Sequence, residues 1–214
     1  MNQKLEENPW WSMWVKPKET IRNIINYNHS YCFIWLCLLY GFIESVHIAQ
    51  GLSLGGYLPM WITLLISIAL AIPVGAISFS LTSLFVYWTG KLIKATGTYK
   101  EIRASVAWSN VTTMFSVILV AILIVTFGNA VFFRNFYEAS FSSAKAIVLI
   151  LILVVEVVLA IWRLVIFIKS LAEVQGCSGW MAFLNVILAS VLASILYFSI
   201  ILCLSFVGKA SFMQ

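Results

Sequence analysis

The sequence predicts an all-α membrane protein, a five-transmembrane-helix bundle entered through an N-terminal interfacial amphipathic helix. Three observations carry that prediction. The 214 residues are 62% hydrophobic and only 10% charged, against roughly 25% charged in soluble domains, so a water-soluble fold could not hide the apolar surface. Long uncharged runs recur, and Leu58–Trp88 and Ala104–Phe133 hold no charged residue at all. The charges gather between such runs, most densely in Gly90–Arg103, where Lys91, Lys94, Lys100 and Arg103 stand against the single acid Glu101. A basic cluster beside spanning segments marks the cytoplasmic side.

Taken in order, residues 1–31 read as a cytoplasmic tail. Trp10, Trp11 and Trp14 suit the headgroup level, where an indole has an apolar body and a polar N–H. Pro17 suits the first turn of a helix and Glu19 the positive end of its dipole. Ile21, Ile24 and Ile25 then form an apolar stripe at helical spacing, the pattern of a helix lying on the membrane surface. No cleavable leader is visible, so the first span is expected to serve as the insertion signal.

Residues 32–207 read as the five-span domain and 208–214 as a short external tail. The first span, Cys32–Gln50, is close to the minimum of about 17 residues for crossing the hydrocarbon core. The glycine-rich linker Gly51–Tyr57 follows as an external turn. Leu58–Trp88 would measure about 46 Å as a straight helix, long for one upright span and short for two. Pro73 and Gly75 near its middle suggest a kink or a break. The third span falls within Ala104–Phe133, the fourth at Ala146–Ile168, and the fifth at Trp180–Val207, with Lys169–Gly179 as a short polar turn between the last two. Ala189/Ala193 and Ser190/Ser194 place small residues four apart, a spacing that lets helices approach closely in lipid. Lys4, Lys16, Lys18, Arg22, the four basic residues of the central stretch, and Arg163 with Lys169 fall on one side. Arg134, Lys145 and Lys209 fall on the other. That asymmetry puts the N-terminus in the cytoplasm and the C-terminus outside. The net charge of +5 reads as topology and attraction to anionic headgroups, with no nucleic acid implied. Cys32, Cys37, Cys177 and Cys203 form no CxxC pair and read as small hydrophobes without a disulfide framework.

Ionisable groups within the spans are the candidates for chemistry, since a charge at mid-bilayer is expensive and turns inward. Glu44 lies about 18 Å into the first span and Glu156 about 15 Å into the fourth from the opposite side, so the two have comparable depth. His47 follows Glu44 by one turn on the same face. Glu44, His47 and Glu156 are therefore a candidate proton or ion relay. Glu-x-x-His is also a di-iron spacing, but such a site needs two motifs and more carboxylates, so the trio is a weak metal candidate and no cofactor is expected. The alternative is structural, with the acids hydrogen-bonded to Asn110, Asn185 or Ser side chains. Glu156 and Arg163 share a face about 10 Å apart along the axis, and Arg163 is expected to snorkel to the cytoplasmic end. Lys91, Lys94, Lys100 and Arg103 are candidates for lipid-headgroup contact. No phosphate loop, His-Glu-x-x-His or Gly-x-Ser-x-Gly motif is present, so the chain does not read as an enzyme.

Several segments resemble a known family. These are the amphipathic start with Trp14, Pro17, Thr20 and Ile21; Trp88-Thr89-Gly90-Lys91 followed by Gly97-Thr98-Tyr99-Lys100; Ile161-Trp162-Arg163-Leu164; and Leu171 to Ser178, LAEVQGCS. Together they resemble the Yip domain proteins, the Ypt/Rab-interacting membrane proteins and their bacterial relatives. The resemblance implies five spans, a cytoplasmic N-terminus and a non-enzymatic membrane protein. Eukaryotic members are tied to vesicle traffic, Rab GTPases and membrane shaping. The short N-terminal segment and the single glycines Gly90 and Gly97 point to a bacterial-type member in the cytoplasmic membrane. Its expected partners are membrane lipids, with a homo-oligomer or another membrane protein as further possibilities. The competing expectation is a small proton, ion or lipid transporter or channel.

Overall fold

The computed structural model describes residues 7–211, with side chains through Ser199. Two short helices, α1 (Pro9–Val15) and α2 (Pro17–Tyr27), precede α3 (Phe33–Gly51), α4 (Met60–Leu92), α5 (Tyr99–Ser109), α6 (Thr113–Phe127), α7 (Ser143–Gln175) and α8 (Gly179–Ser211). Five segments are long and apolar enough to cross a membrane: α3, α4, α5 with α6, α7, and α8. Apolar side chains cover their outer faces. On α7 alone Ile147, Ile150, Leu151, Val154, Val157, Val158 and Ile161 are exposed. In water such a surface would aggregate; in a bilayer it is solvated by acyl chains. Of the predicted tail Gly208–Gln214, 208–211 continue α8, and 212–214 lie outside the described residues, as do 1–6.

The closest helix pair is α3 against α4, and glycine explains it. A Cβ on Gly41 would sit 1.8 Å from the Ala71 carbonyl oxygen, and one on Gly75 would sit 2.2 Å from that of Cys37. The two backbones touch where the side chains are missing, which is how helices gain packing in lipid, where no hydrophobic force separates apolar helix from apolar tail. The helix α4 runs unbroken through Pro73 for 33 residues, about 50 Å. Of the kink or break expected at Pro73, the break is not there.

A break falls instead in the third span. Asn110–Thr112 is a short 3-10 turn between α5 and α6. The Asn110 side-chain amide donates to the Val106 carbonyl at 2.8 Å, the acceptor that the Asn110 backbone N–H would use in a continuous α-helix. The backbone N–H turns to Ala107 and Trp108. Such local competition is the reason Asn disfavours helix interiors.

The charged entry to that span is itself helical. Thr98 caps α5 through a complete capping box with Glu101, and only 93–98 remain as loop between α4 and α5. Thr98→Ala should lower stability by about 1 kcal/mol, read as a fall in the thermal midpoint of the detergent-solubilised protein. The predicted polar turn Lys169–Gly179 is also mostly helix, because α7 continues to Gln175 and stops at Gly176, whose φ of +60° suits glycine.

That extension of α7 changes the role of the N-terminal helices. α2 packs on α7 and α5, and Ile21 and Ile24 are wholly buried. The Arg22 guanidinium donates to Glu173 near the end of α7, with Nε at 2.8 Å. The apolar stripe predicted to lie on lipid is therefore buried against protein, because α7 continues as helix to Gln175 and offers a partner surface. Met13 of α1 is wholly buried too, while Trp11 and Val15 face outward. The main core lies at this end of the bundle and is centred on Trp108. Trp10 meets its ring edge-on at 5.4 Å and Tyr31 stacks on it at 6.2 Å.

Candidate functional site

The three predicted relay residues differ in exposure. His47 is exposed on the outer face of α3, and Glu44 and Glu156 are half-buried. Glu156 accepts a hydrogen bond from Ser116 Oγ at 3.0 Å. Glu44 has the Tyr40 phenol beside it, one turn earlier on α3. Among the described residues no group of three His, Cys, Asp or Glu side chains could hold a metal ion, so Glu44, His47 and Glu156 do not form the weak metal site considered above. The main interfaces of α3 are with α4, α6 and α5, and those of α7 with α5, α2, α8 and α6.

Arg163 has a different position from the expected one. Its side chain does not run to the helix end. Nε donates to Thr112 Oγ1 on the neighbouring span at 3.2 Å. Thr112 and Ser116 lie four apart, one turn, and Arg163 and Glu156 lie seven apart on the antiparallel helix. Two hydroxyls one turn apart on the third span thus meet Glu156 and Arg163 of α7 separately.

Arg163 also lines a cavity of about 310 Å³ between four helices. Tyr40 comes from α3, Phe79 and Thr82 from α4, Ser109 and Asn110 from the end of α5, and Ala160, Leu164 and Phe167 from α7. Its rim is lipid-facing: Thr82, Ala160 and Leu164 are exposed, and they continue into the exposed Leu81 and Ile161. Its lining includes the polar residues Arg163, Tyr40, Ser109 and Asn110, and the Ser109 hydroxyl and the Asn110 amide both donate to the Val106 carbonyl. Glu44, His47 and Glu156 are not among its lining residues. A guanidinium with hydroxyl and amide neighbours in a groove walled by apolar side chains is suited to an anionic headgroup whose tail stays in lipid. Tyr40, Thr82 and Ser109 were not legible as site residues. The only sequence signal is that they are polar residues on apolar runs, and which of them face Arg163 depends on packing.

The basic candidates separate as well. Lys91, Lys94 and Lys100 are exposed, whereas Arg103 is half-buried. Arg103 lies over the Phe33 ring at 4.7 Å and reaches Ser30 Oγ at 3.5 Å, so it joins α5 to the start of α3 and does not present itself with the lysines. Burial pushes the Cys177 thiol above its usual pKa, as expected of a packing cysteine. Cys32, Cys37 and Cys177 are all free thiols, while the side chain of Cys203 lies outside the described residues.

A family model described as Yip1 domain matches residues 11–201. The chain belongs to the Yip1 domain family. The match runs from Trp11 in α1 through most of α8, so it covers α2, the greater part of α1 and of each span, and the groove. No curated protein and no solved structure matched the chain. Membership in the Yip1 family agrees with the resemblance carried by Trp14, Pro17, Trp88–Lys91 and the LAEVQGCS run, and the multi-pass helical architecture agrees with the fold expected from composition.

Proposed function

We propose that this Yip1-family protein is a non-enzymatic organiser of the membrane that holds an anionic lipid in the groove at Arg163. The observation that carries the reading is a guanidinium placed on the wall of a lipid-facing cavity with Tyr40, Ser109 and Asn110 around it. The charge is anchored by Thr112, which holds the guanidinium in place before a ligand arrives. Anchoring lowers the entropy lost on binding. The basic end of the bundle, with α1, α2 and the 93–98 loop, is taken as cytoplasmic on the charge asymmetry of the segments it joins. A bacterial cytoplasmic membrane is the setting we infer. The transport reading gains no support from the geometry, since the groove is lined by none of the three relay candidates and His47 points away.

The test is lipid retention. Protein purified from a mixed bilayer should carry anionic phospholipid enriched over zwitterionic phospholipid, measured by native mass spectrometry. Arg163→Met should cut that enrichment about tenfold, which is about 1.4 kcal/mol, with the fold intact by circular dichroism. Equal retention in wild type and variant would overturn the proposal. Proton or ion flux in proteoliposomes that disappears in Glu44→Gln and Glu156→Gln would instead restore the transport reading.

A further inference from the structure

Some polar atoms of the Arg163 groove are committed to the protein, and those left open restrict the headgroup it can take. Arg163 donates through Nε to Thr112. Its two terminal nitrogens have no partner among the described residues and are not enclosed, and they form a fork that fits two oxygens of one phosphate. Among the described residues no Lys, Asp or Glu lines the groove, so the lining carries a single positive charge.

Asn110 supplies the second open group. Its amide nitrogen donates to the Val106 carbonyl at 2.8 Å. A carbonyl can only accept, which fixes the nitrogen on the Val106 side and turns the side-chain oxygen away from it. That oxygen takes no hydrogen bond from the described residues and is not enclosed. The neighbouring hydroxyls do not supply the missing proton. Ser109 gives its own to the same Val106 carbonyl at 2.8 Å, and the Tyr40 phenol has the Glu44 carboxylate beside it as an acceptor. The turn that breaks the third span thus leaves an acceptor free in the groove, because the bond that makes the turn uses only the nitrogen.

We propose that the groove selects a monoanionic phosphodiester headgroup that carries an uncharged hydroxyl, with the phosphate on Arg163 and the hydroxyl donating to the Asn110 side-chain oxygen. The inference rests on the reading of the groove as a lipid site. A phosphate monoester carries up to a second negative charge, which one guanidinium leaves unpaired next to hydrocarbon. A headgroup ammonium can donate to Asn110, but it sets a like charge beside Arg163. A methyl phosphodiester has the right charge and no donor, so on docking it strips water from the Asn110 oxygen and replaces nothing. A polyol diester, of which glycerol is the simplest, meets all three conditions. The acyl chains leave by the exposed rim at Thr82, Ala160 and Leu164.

The experiment sets phosphatidylglycerol against phosphatidylmethanol, two diesters of the same charge that differ in headgroup hydroxyls. Full-length protein is held in phosphatidylcholine nanodiscs with equal parts of both, and its retained lipids are counted by native mass spectrometry. Both diesters are expected to exceed phosphatidylcholine, and phosphatidylglycerol to exceed phosphatidylmethanol by about fivefold, the worth of one net hydrogen bond. Asn110→Ala brings the two diesters to equal occupancy and leaves phosphatidylmethanol where it was, whereas Arg163→Met lowers both together. Equal retention of the two diesters by the wild type overturns the hydroxyl contact while the groove stands as an anionic-lipid site. So does a preference that survives in Asn110→Ala with an unchanged thermal melt. Retention of neither diester above phosphatidylcholine overturns the lipid site itself and this inference with it. The wild-type comparison uses no variant, so it decides the matter even where Asn110→Ala fails to fold.

Discussion

Gly41→Val should prevent the α3–α4 pair from assembling. A Cβ at that position would stand 1.8 Å from the Ala71 carbonyl oxygen and 2.6 Å from the Gly75 nitrogen. Both contacts are with backbone, so no rotamer change relieves them, and the helices must separate. Overpacking in a core typically costs about 1–3 kcal/mol and occasionally more, and a backbone collision belongs at the upper end. Separation also removes van der Waals contact along the tightest interface in the bundle, the main attraction between helices in lipid. Gly75→Val should behave alike, since its Cβ would meet the Cys37 carbonyl at 2.2 Å. Gly51→Ala is the control. No atom lies within 4 Å of the place its methyl group would take, and alanine is the better helix former by about 0.5–1 kcal/mol. Size-exclusion profiles and thermal melts in one detergent would separate the cases: aggregation or a large loss for the first two, and no loss for the third. A native-like melt for Gly41→Val would show that α3 and α4 are not packed as described.

The second large effect is expected at Trp108. Its ring, on α5, is 1% exposed and sits against Trp10 and Tyr31. Trp108→Ala should lose about 3–5 kcal/mol and remove the seat on which α1 rests. The loss should be visible locally as well as globally. Limited proteolysis should cut near α1 in the variant and spare it in the wild type, and amide exchange in α1 and α2 should accelerate. Trp108→Phe separates the ring from its N–H. The indole nitrogen is buried without a partner, so removing it leaves little hydrogen bonding to lose, and this variant should stay within about 1 kcal/mol of wild type. Trp180→Ala, at a residue 80% exposed, should change stability little. Equal proteolytic resistance in wild type and Trp108→Ala would mean that the N-terminal helices are held by the α2–α7 contact alone.

The positions of the spans were legible because hydropathy and length act locally. Cys32–Gln50 as expected and Phe33–Gly51 as observed differ by one residue at each end, and the fifth span begins within one residue of its expected start. The break was misplaced for a reason that is also local but weaker. Pro73 removes one hydrogen bond, and a long helix held against α3 by Gly41 and Gly75 tolerates it. Asn110 offers a side-chain donor that replaces the backbone one, so the turn forms there. The candidate site was legible only in fragments. Periodicity placed Glu44 and His47 on one face and gave Glu156 a matching depth, but depth says nothing about which helices are neighbours. Arg163 was identified as an intramembrane charge, and its partner Thr112 was not, since no spacing rule links residues 51 apart.

Composition and charge pattern by themselves determined the class of protein, the number of spans and the segments that cross, because an apolar run of the right length has only the bilayer as a stable solvent. The motif segments carried the family. Tertiary structure alone decided that the amphipathic stripe of α2 is buried on α7, that Arg103 turns inward while the lysines stay out, and that the polar groups of four helices converge on Arg163 and not on the two acids. Those outcomes depend on which helix faces meet, and that is set by close backbone approach at a few glycines and by the continuation of α7 to Gln175, neither of which is written in the hydropathy of any one segment.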